Sequence, residues 1–303
     1  MVSRGSPATP AKHHYVPEFY LREWAGADGK LERYTKPHVA KIMVKRVFPS
    51  ETGFEKHLYS SPDDKRLGMA WLETRVFQRI DDLAAPVLRK LNATPVLNLS
   101  DEERSAWSVF VRALFYRTPA TLRAVKHSGA YDWRRAIESL GERYPAMKNP
   151  DDPATLEEYI ARHSVSDIES AVLRVLPSIF VGERVGQILN DLHFRVIVIP
   201  PEVPSFLISD DFVVRTNGIA VPGGHFAIPI SPRRVVVMAW EKSKLEEITA
   251  LPPRYLVTQV NQWVAGSARC FVGAVDRAQD RFIRNRFGTD LKNPLSRREE
   301  GNS

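Results

Sequence analysis

Hydrophobic residues recur at three- and four-residue spacing through the first two thirds of the chain, then switch to short β-branched runs from Val196 onward. Leu72, Val76, Ile80, Leu83, Val87 and Leu91 mark one face of a predicted helix over about 65–91. Glu103 stands three residues after Ser100, the spacing of a capping box. The helix it opens carries Trp107, Phe110, Val111 and Leu114 and is expected to break near Pro119. Further helices are predicted over about 120–143, 154–163 and 167–190. The later runs Val196–Ile199, Phe206–Ile208, Phe212–Val214, Phe226–Ile228 and Val235–Met238 are separated by Pro, Gly and Asp and read as a mostly antiparallel sheet. Two helices, about 252–271 and 276–286, close the folded part.

At the other end, Pro17 opens a short helix over 17–25. The Asp28-Gly29 turn then leads into a small β-ribbon across 30–60, with His57-Leu58-Tyr59-Ser60 as its expected last strand. Strands and helices are segregated rather than alternating, which predicts an α+β fold: an N-terminal β-ribbon, a central helical bundle, and a C-terminal sheet with closing helices. Residues 1–11 and 288–303 are polar and expected to be disordered, leaving a single domain over 12–287. The sequence has no internal repeat.

Composition narrows the class. The chain has 303 residues, 43% of them hydrophobic and 26% charged, which suits a globular protein large enough to fold without disulfides. The single cysteine, Cys270, excludes an intrachain disulfide and reads as a packed residue in a helical, apolar context. No apolar run approaches the ~20 residues of a membrane helix, and Met1–Lys12 lacks a signal-peptide core, so a cytoplasmic location is expected. The net charge of +7 is compatible with nucleic acid or another anionic partner, although the basic residues are spread along the chain.

Five residues stand out as candidate chemistry. His13 and His14 are adjacent imidazoles ahead of a proline, suited to acid–base work or to a divalent metal. Neighbours in an extended segment point to opposite sides, so one can face a cleft while the other braces it. Glu73 flanks the apolar stripe of its helix, where a carboxylate needs a partner or a raised pKa. Arg117 continues the line of Phe110 and Ala113 to the inner end of its helix, where it can grip a carboxylate or phosphate. Asp210 follows a predicted strand and suits a metal ligand or an orienter of histidine. Each also has a structural reading, as a buried hydrogen-bonding group, a salt-bridge partner or a turn former. The signatures of P-loop and dinucleotide binding, zinc proteases, and α/β-hydrolases are missing from the sequence.

The stretch Lys12-His13-His14-Tyr15-Val16-Pro17-Glu18-Phe19-Tyr20-Leu21-Arg22 resembles the opening signature of the microbial family known as domain of unknown function 4238. Leu58-Tyr59, Leu72-Glu73, Arg117-Thr118-Pro119, Ile208-Ser209-Asp210, Pro229-Ile230-Ser231-Pro232 and Val260-Asn261 match that family's blocks in order. This chain has Asp211-Phe212 where the family pattern has Asn and Pro. The resemblance implies a shared polar centre and carries no known activity. The residues themselves favour a hydrolase, with a phosphodiesterase or nuclease as the concrete form, using His13, His14, Glu73, Arg117 and Asp210. The alternative is a non-catalytic binding or interaction module in which the same residues form a buried polar network.

Overall fold

The computed structural model describes residues 12–38, 41–60, 70–94, 98–140, 143–162, 165–216 and 218–291. The expectations for 1–11, for most of 288–303, and for the start of the helix predicted from residue 65 lie outside them. The chain is α+β, and its strands close a loop between the two ends of the sequence. β1 (Lys12–His14) leads into a short helix α1 (Glu18–Leu21) and one 3₁₀ turn ending at Trp24. β2 (Leu31–His38) and β3 (Lys41–Val47) form the expected ribbon. β4 (Phe54–Lys56) pairs with β1 rather than with the ribbon, placing His13 opposite Glu55. The strand expected at His57–Ser60 is instead a turn, with His57 at φ +57° ending the extended run.

The helical layer follows. Leu72–Phe77 is a π-helical segment that continues into α2 (Gln78–Ala93). α3 (Asp101–Arg117) opens on the predicted capping box: the Ser100 hydroxyl accepts from the Glu103 N–H at 3.2 Å, and the Glu103 carboxylate accepts from the Ser100 N–H at 2.8 Å. α4 (Pro119–Leu140), α5 (Tyr144–Met147) and α6 (Leu156–Arg162) come next. The single helix expected over 167–190 is two, α7 (Val165–Val181) and α8 (Glu183–Asp191), separated at Gly182.

The chain then lays down β5 (His193–Val198), β6 (Ile208–Ser209), β7 (Val214–Arg215), β8 (His225–Ser231) and β9 (Arg234–Ala239), followed by helices α9 (Lys242–Thr249) and α10 (Pro253–Gly266). The last strand, β10 (Val272–Ala274), precedes α11 (Asp280–Arg286). One antiparallel sheet runs β5-β9-β8-β7. β8 and β9 are buried at consecutive positions, so both of their faces are covered, which explains their unbroken apolar runs. β6 leaves this sheet for β3-β2-β10-β6, where β10 sits between the ribbon and β6. The predicted helix over 252–271 therefore stops at Gly266, and Cys270 lies just ahead of a strand instead of within a helix. Gly273 belongs in that strand because a Cβ there would stand 2.9 Å from Leu31 Cδ1.

One continuous set of buried hydrophobic residues runs from Tyr15 to Phe287, with Tyr144 and Leu156 in a small separate cluster. Tyr20 donates its hydroxyl to the Pro229 carbonyl at 2.6 Å, and Trp24 donates its indole N–H to the Phe206 carbonyl at 2.9 Å. The N-terminal segment is thereby fastened to strands some 200 residues later. Among the described residues no helix is long and apolar enough to cross a membrane.

Asn261 fastens α10 to the loop before β6. Its carbonyl accepts from the Leu207 N–H at 2.9 Å, and its amide donates to the Ser205 carbonyl at 2.9 Å and to Gln279 at 3.0 Å. Asn261→Ala leaves the Leu207 N–H buried and unpaired. It is expected to lower unfolding stability by about 2 kcal/mol in urea titration, an effect that Asn261→Asp restores only in part.

Candidate functional site

The dihistidine segment is held flat by Gly53, whose carbonyl accepts from both the Tyr15 N–H at 2.8 Å and the Val16 N–H at 3.0 Å. Gly53 sits at φ +68°, and a Cβ there would press on Leu21 and Val16, so only glycine lets the segment dock so closely. The alternation expected of an extended pair follows. His13 is fully buried, and its Nδ1 accepts from the Tyr59 N–H at 2.9 Å. Its ring stacks on Tyr59 at 5.4 Å with an interplanar angle of 9°. His13 is thus the bracing imidazole.

His14 faces the other way, beside Phe54, and its Nε2 is buried without a hydrogen-bond partner. Burial pushes its pKa down to about 4. Glu18 opposes the shift, and the positive charges of Arg117 and Lys12 add to it. The ring is therefore neutral at neutral pH.

Arg117 is 1% exposed and is the centre of the arrangement. Its two terminal nitrogens meet both oxygens of Asp81 at 2.5 and 2.9 Å, and one also donates to the His14 carbonyl at 3.2 Å. The guanidinium lies 4.5 Å over the Phe77 ring. The Tyr59 hydroxyl donates to the Arg117 carbonyl at 2.7 Å, tying down the end of α3. Burial works against charge on both members of the ion pair. It raises Asp81 above the ordinary carboxylate range, while Asp81 holds the guanidinium protonated and above its usual value. The carboxylate that Arg117 grips is thus Asp81, not Glu73 and not a ligand.

Glu73 lies on the π segment close by. Its Oε2 is buried and unpaired. Burial raises its pKa to about 7; Arg117 and the His14 N–H pull the other way, and Asp81 adds to the rise. A π turn has more than four residues, so Leu72 and Phe77, five apart, both point inward, and Glu73 is carried in beside Leu72. Such segments occur frequently at functional sites.

Asp210 belongs to a different arrangement. It is 4% exposed and accepts from the N–H groups of Arg269, Cys270 and Phe271 at 2.9 to 3.1 Å, bracing the approach to β10. Burial raises its pKa to about 6 against the pull of those N–H groups. Its link to the dihistidine segment runs through Tyr15, which shares a hydrogen bond with Cys270. The cavity beside Asp210, bordered by Tyr15, Thr118, Thr121, Arg215 and Arg269, has a volume of about 30 Å³, room for little more than a water molecule. Cys270 is partly buried, and burial with the Asp210 charge pushes its thiol to about 12, so it is not poised as a nucleophile.

Of the five candidates, the geometry gathers His13, His14, Glu73 and Arg117 around one buried ion pair and sets Asp210 apart. Asp81, which completes that pair, went unnoticed in the sequence. It falls four residues after Phe77, the one clue to an inward-facing carboxylate. Among the described residues no group of three or more His, Cys, Asp or Glu side chains is placed to hold a metal ion.

Asp81→Asn leaves the Arg117 guanidinium buried with no counter-charge. It is expected to cost about 3–5 kcal/mol of unfolding free energy. The double variant Arg117→Met/Asp81→Leu, which removes both charges, should recover most of that loss in the same chemical-denaturation measurement.

No curated protein and no solved structure matches the chain. A family model does match, over residues 12–277, from the dihistidine segment through β10. The chain belongs to the family described as protein of unknown function DUF4238.

Proposed function

We propose that the chain is a hydrolase whose proton-transfer pair is Glu73 and His14. The observation that carries this reading is the mismatch between this pair and its surroundings. Glu73 Oε2 and His14 Nε2 are both buried and unpaired, on adjoining segments, beside an arginine whose terminal nitrogens are held by Asp81 and whose Nε is unpaired as well. A carboxyl group raised to about 7 is half protonated at neutral pH, the condition for an efficient general acid. The neutral imidazole of His14, on the adjoining segment, offers a nitrogen to water or to a leaving group. His13, Arg117 and Asp81 are positioning residues in this scheme: they fix the His14 carbonyl, the end of α3 and the π segment. Phosphodiesters, nucleic acid among them, are the proposed substrate class, supported only by the net charge of +7. A cytoplasmic location goes with the reading on the strength of the single cysteine.

A second reading has its own support. The terminal nitrogens of Arg117 are engaged by Asp81, and Asp210 is engaged by three backbone N–H groups, so the cation expected to grip an anion and the carboxylate expected to hold a metal or a histidine are both occupied. That favours a non-catalytic module built around a buried network.

The two readings diverge in rate measurements on bis(p-nitrophenyl) phosphate and on single-stranded RNA and DNA. With Glu73 as acid and His14 as base, the rate falls as pH rises through about 7 and as it drops through about 4. Glu73→Gln removes the alkaline limb and lowers the rate on the order of 10²–10⁴-fold. Absence of turnover on all three substrates from pH 4 to 9 would favour the binding module.

Stability gives an independent check. The folded pKa of Glu73, about 7, lies above the ordinary glutamate value of 4.5. Its contribution is therefore fully present below 4.5 and is lost as pH rises through about 7. Glu73→Gln escapes that loss. It is expected to match the parent near pH 4 and to exceed it by up to about 3 kcal/mol above pH 7, read from urea unfolding at the two pH values. A Gln variant less stable at both would mean that the ionised carboxylate holds the frame together.

A further inference from the structure

A second feature lies on the same helical run, and Glu73 is not part of its lining. α2 and α3, together with the end of α7, leave a trough of about 760 Å³. Its walls are mostly apolar and include Val76, Ile80, Leu83, Ala106, Val109 and Phe180. The volume falls within the range of small-molecule sites. Leu83 is 57% exposed, although the helical pattern assigns it to the core.

The charges around the trough are unevenly accounted for. At one end Asp101 and Glu102 occupy the first turn of α3, where negative charge stabilises a helix, and Glu102 also accepts from the Ser100 hydroxyl at 2.8 Å. At the other end stand Arg75 and Arg79. They are four residues apart on one helical run, so they repel each other. They stand toward the start of the run, away from its C-terminal turn, where a cation would be favoured by the helix dipole. Both are exposed, and neither pairs with a carboxylate among the described residues. Helix stability does not explain two arginines at this place; an anion between them does.

We propose that the trough binds a long-chain amphipathic anion, with its carboxylate or similar head between Arg75 and Arg79 and its alkyl tail along the apolar floor. Eight residues separate Arg75 from Leu83, about 12 Å along the helix, which suits a tail of medium length. The acidic end repels a second anionic head and fixes the direction of the tail. This site is separate from Glu73 and His14 and stands whether or not they carry out hydrolysis.

The test is calorimetric titration of the full chain with dodecanoate below its micelle concentration, with dodecanol and dodecyltrimethylammonium as neutral and cationic probes. Saturable one-to-one binding of dodecanoate is expected, at least tenfold tighter than that of the cation. Arg75→Gln/Arg79→Gln should weaken dodecanoate at least tenfold and leave dodecanol unchanged. Because the two arginines repel each other at i,i+4 spacing, that variant should melt at the parent temperature or above it. Ala106→Trp, which fills the trough, should abolish both affinities; if it does not fold, Leu83→Asp at its exposed position serves instead. Absence of saturable binding, equal affinity for anion and cation, or an arginine variant that binds normally or melts lower would each overturn the proposal. So would sedimentation showing a dimer that Ala106→Trp or Leu83→Asp dissociates, since the trough would then seat a second copy of the chain.

Discussion

The arrangement of the helical layer against the N-terminal segment turns on one constraint: a guanidinium with no access to water. A buried Arg117 needs a counter-charge, hydrogen-bond acceptors and a flat surface, and each comes from a different part of the chain. Asp81 of α2 supplies the charge, the His14 carbonyl supplies an acceptor, and the Phe77 ring supplies the surface. Tyr59, from the turn after β4, closes the arrangement from the carbonyl side. Four segments far apart in sequence are brought to one point because no other geometry leaves the charge compensated.

The blocks on which the sequence resemblance rests take part in the same kind of tie. Leu58-Tyr59 carries the ring that stacks on His13, and Arg117-Thr118-Pro119 carries the guanidinium. Pro229 receives the Tyr20 hydroxyl, Asp210 braces the approach to β10, and Asn261 closes the loop before β6. All are polar or backbone connections to the N-terminal segment or to the strands it rests on. Polar ties of this kind specify position more sharply than apolar packing, which tolerates exchange of one hydrocarbon side chain for another.

Local signals were legible in the sequence where the physics is local. The capping box at Ser100, the β2–β3 ribbon and the paired runs of β8 and β9 depend on neighbours a few residues away. The inward position of Arg117 followed from helical periodicity, but its partner did not. Asp81 is one of many polar residues on an amphipathic helix, and its spacing from Phe77 is a weak mark of burial. Ile80, Val87 and Leu91 of the predicted stripe are buried as expected, while Leu83 lies at the edge of the face completed by Ala84 and Leu88 and is exposed. Cys270 and the short strand β10 were misjudged for another reason: a three-residue strand between β2 and β6 is specified by its neighbours in the sheet, not by its own period.

What sets Glu73 and His14 apart is that each keeps one buried polar atom unpaired, although Glu73 also accepts from the His14 N–H. Arg117 already has its carboxylate, and His13 already braces the N-terminal segment. A second carboxylate raised to about 7 and a second imidazole lowered to about 4 are each shifted toward the state that burial favours, the carboxyl half protonated at neutral pH and the ring neutral. Neither shift strengthens the fold, since both reflect the cost of removing a charge from water. The π turn that delivers Glu73 is itself a departure from the better-bonded α-helix. A helix wound one residue too wide, carrying in a carboxyl group that keeps one oxygen unpaired, on a segment adjoining an imidazole with an unpaired nitrogen, is hard to explain by packing. On the proposed reading these are the groups that exchange a proton with a third molecule.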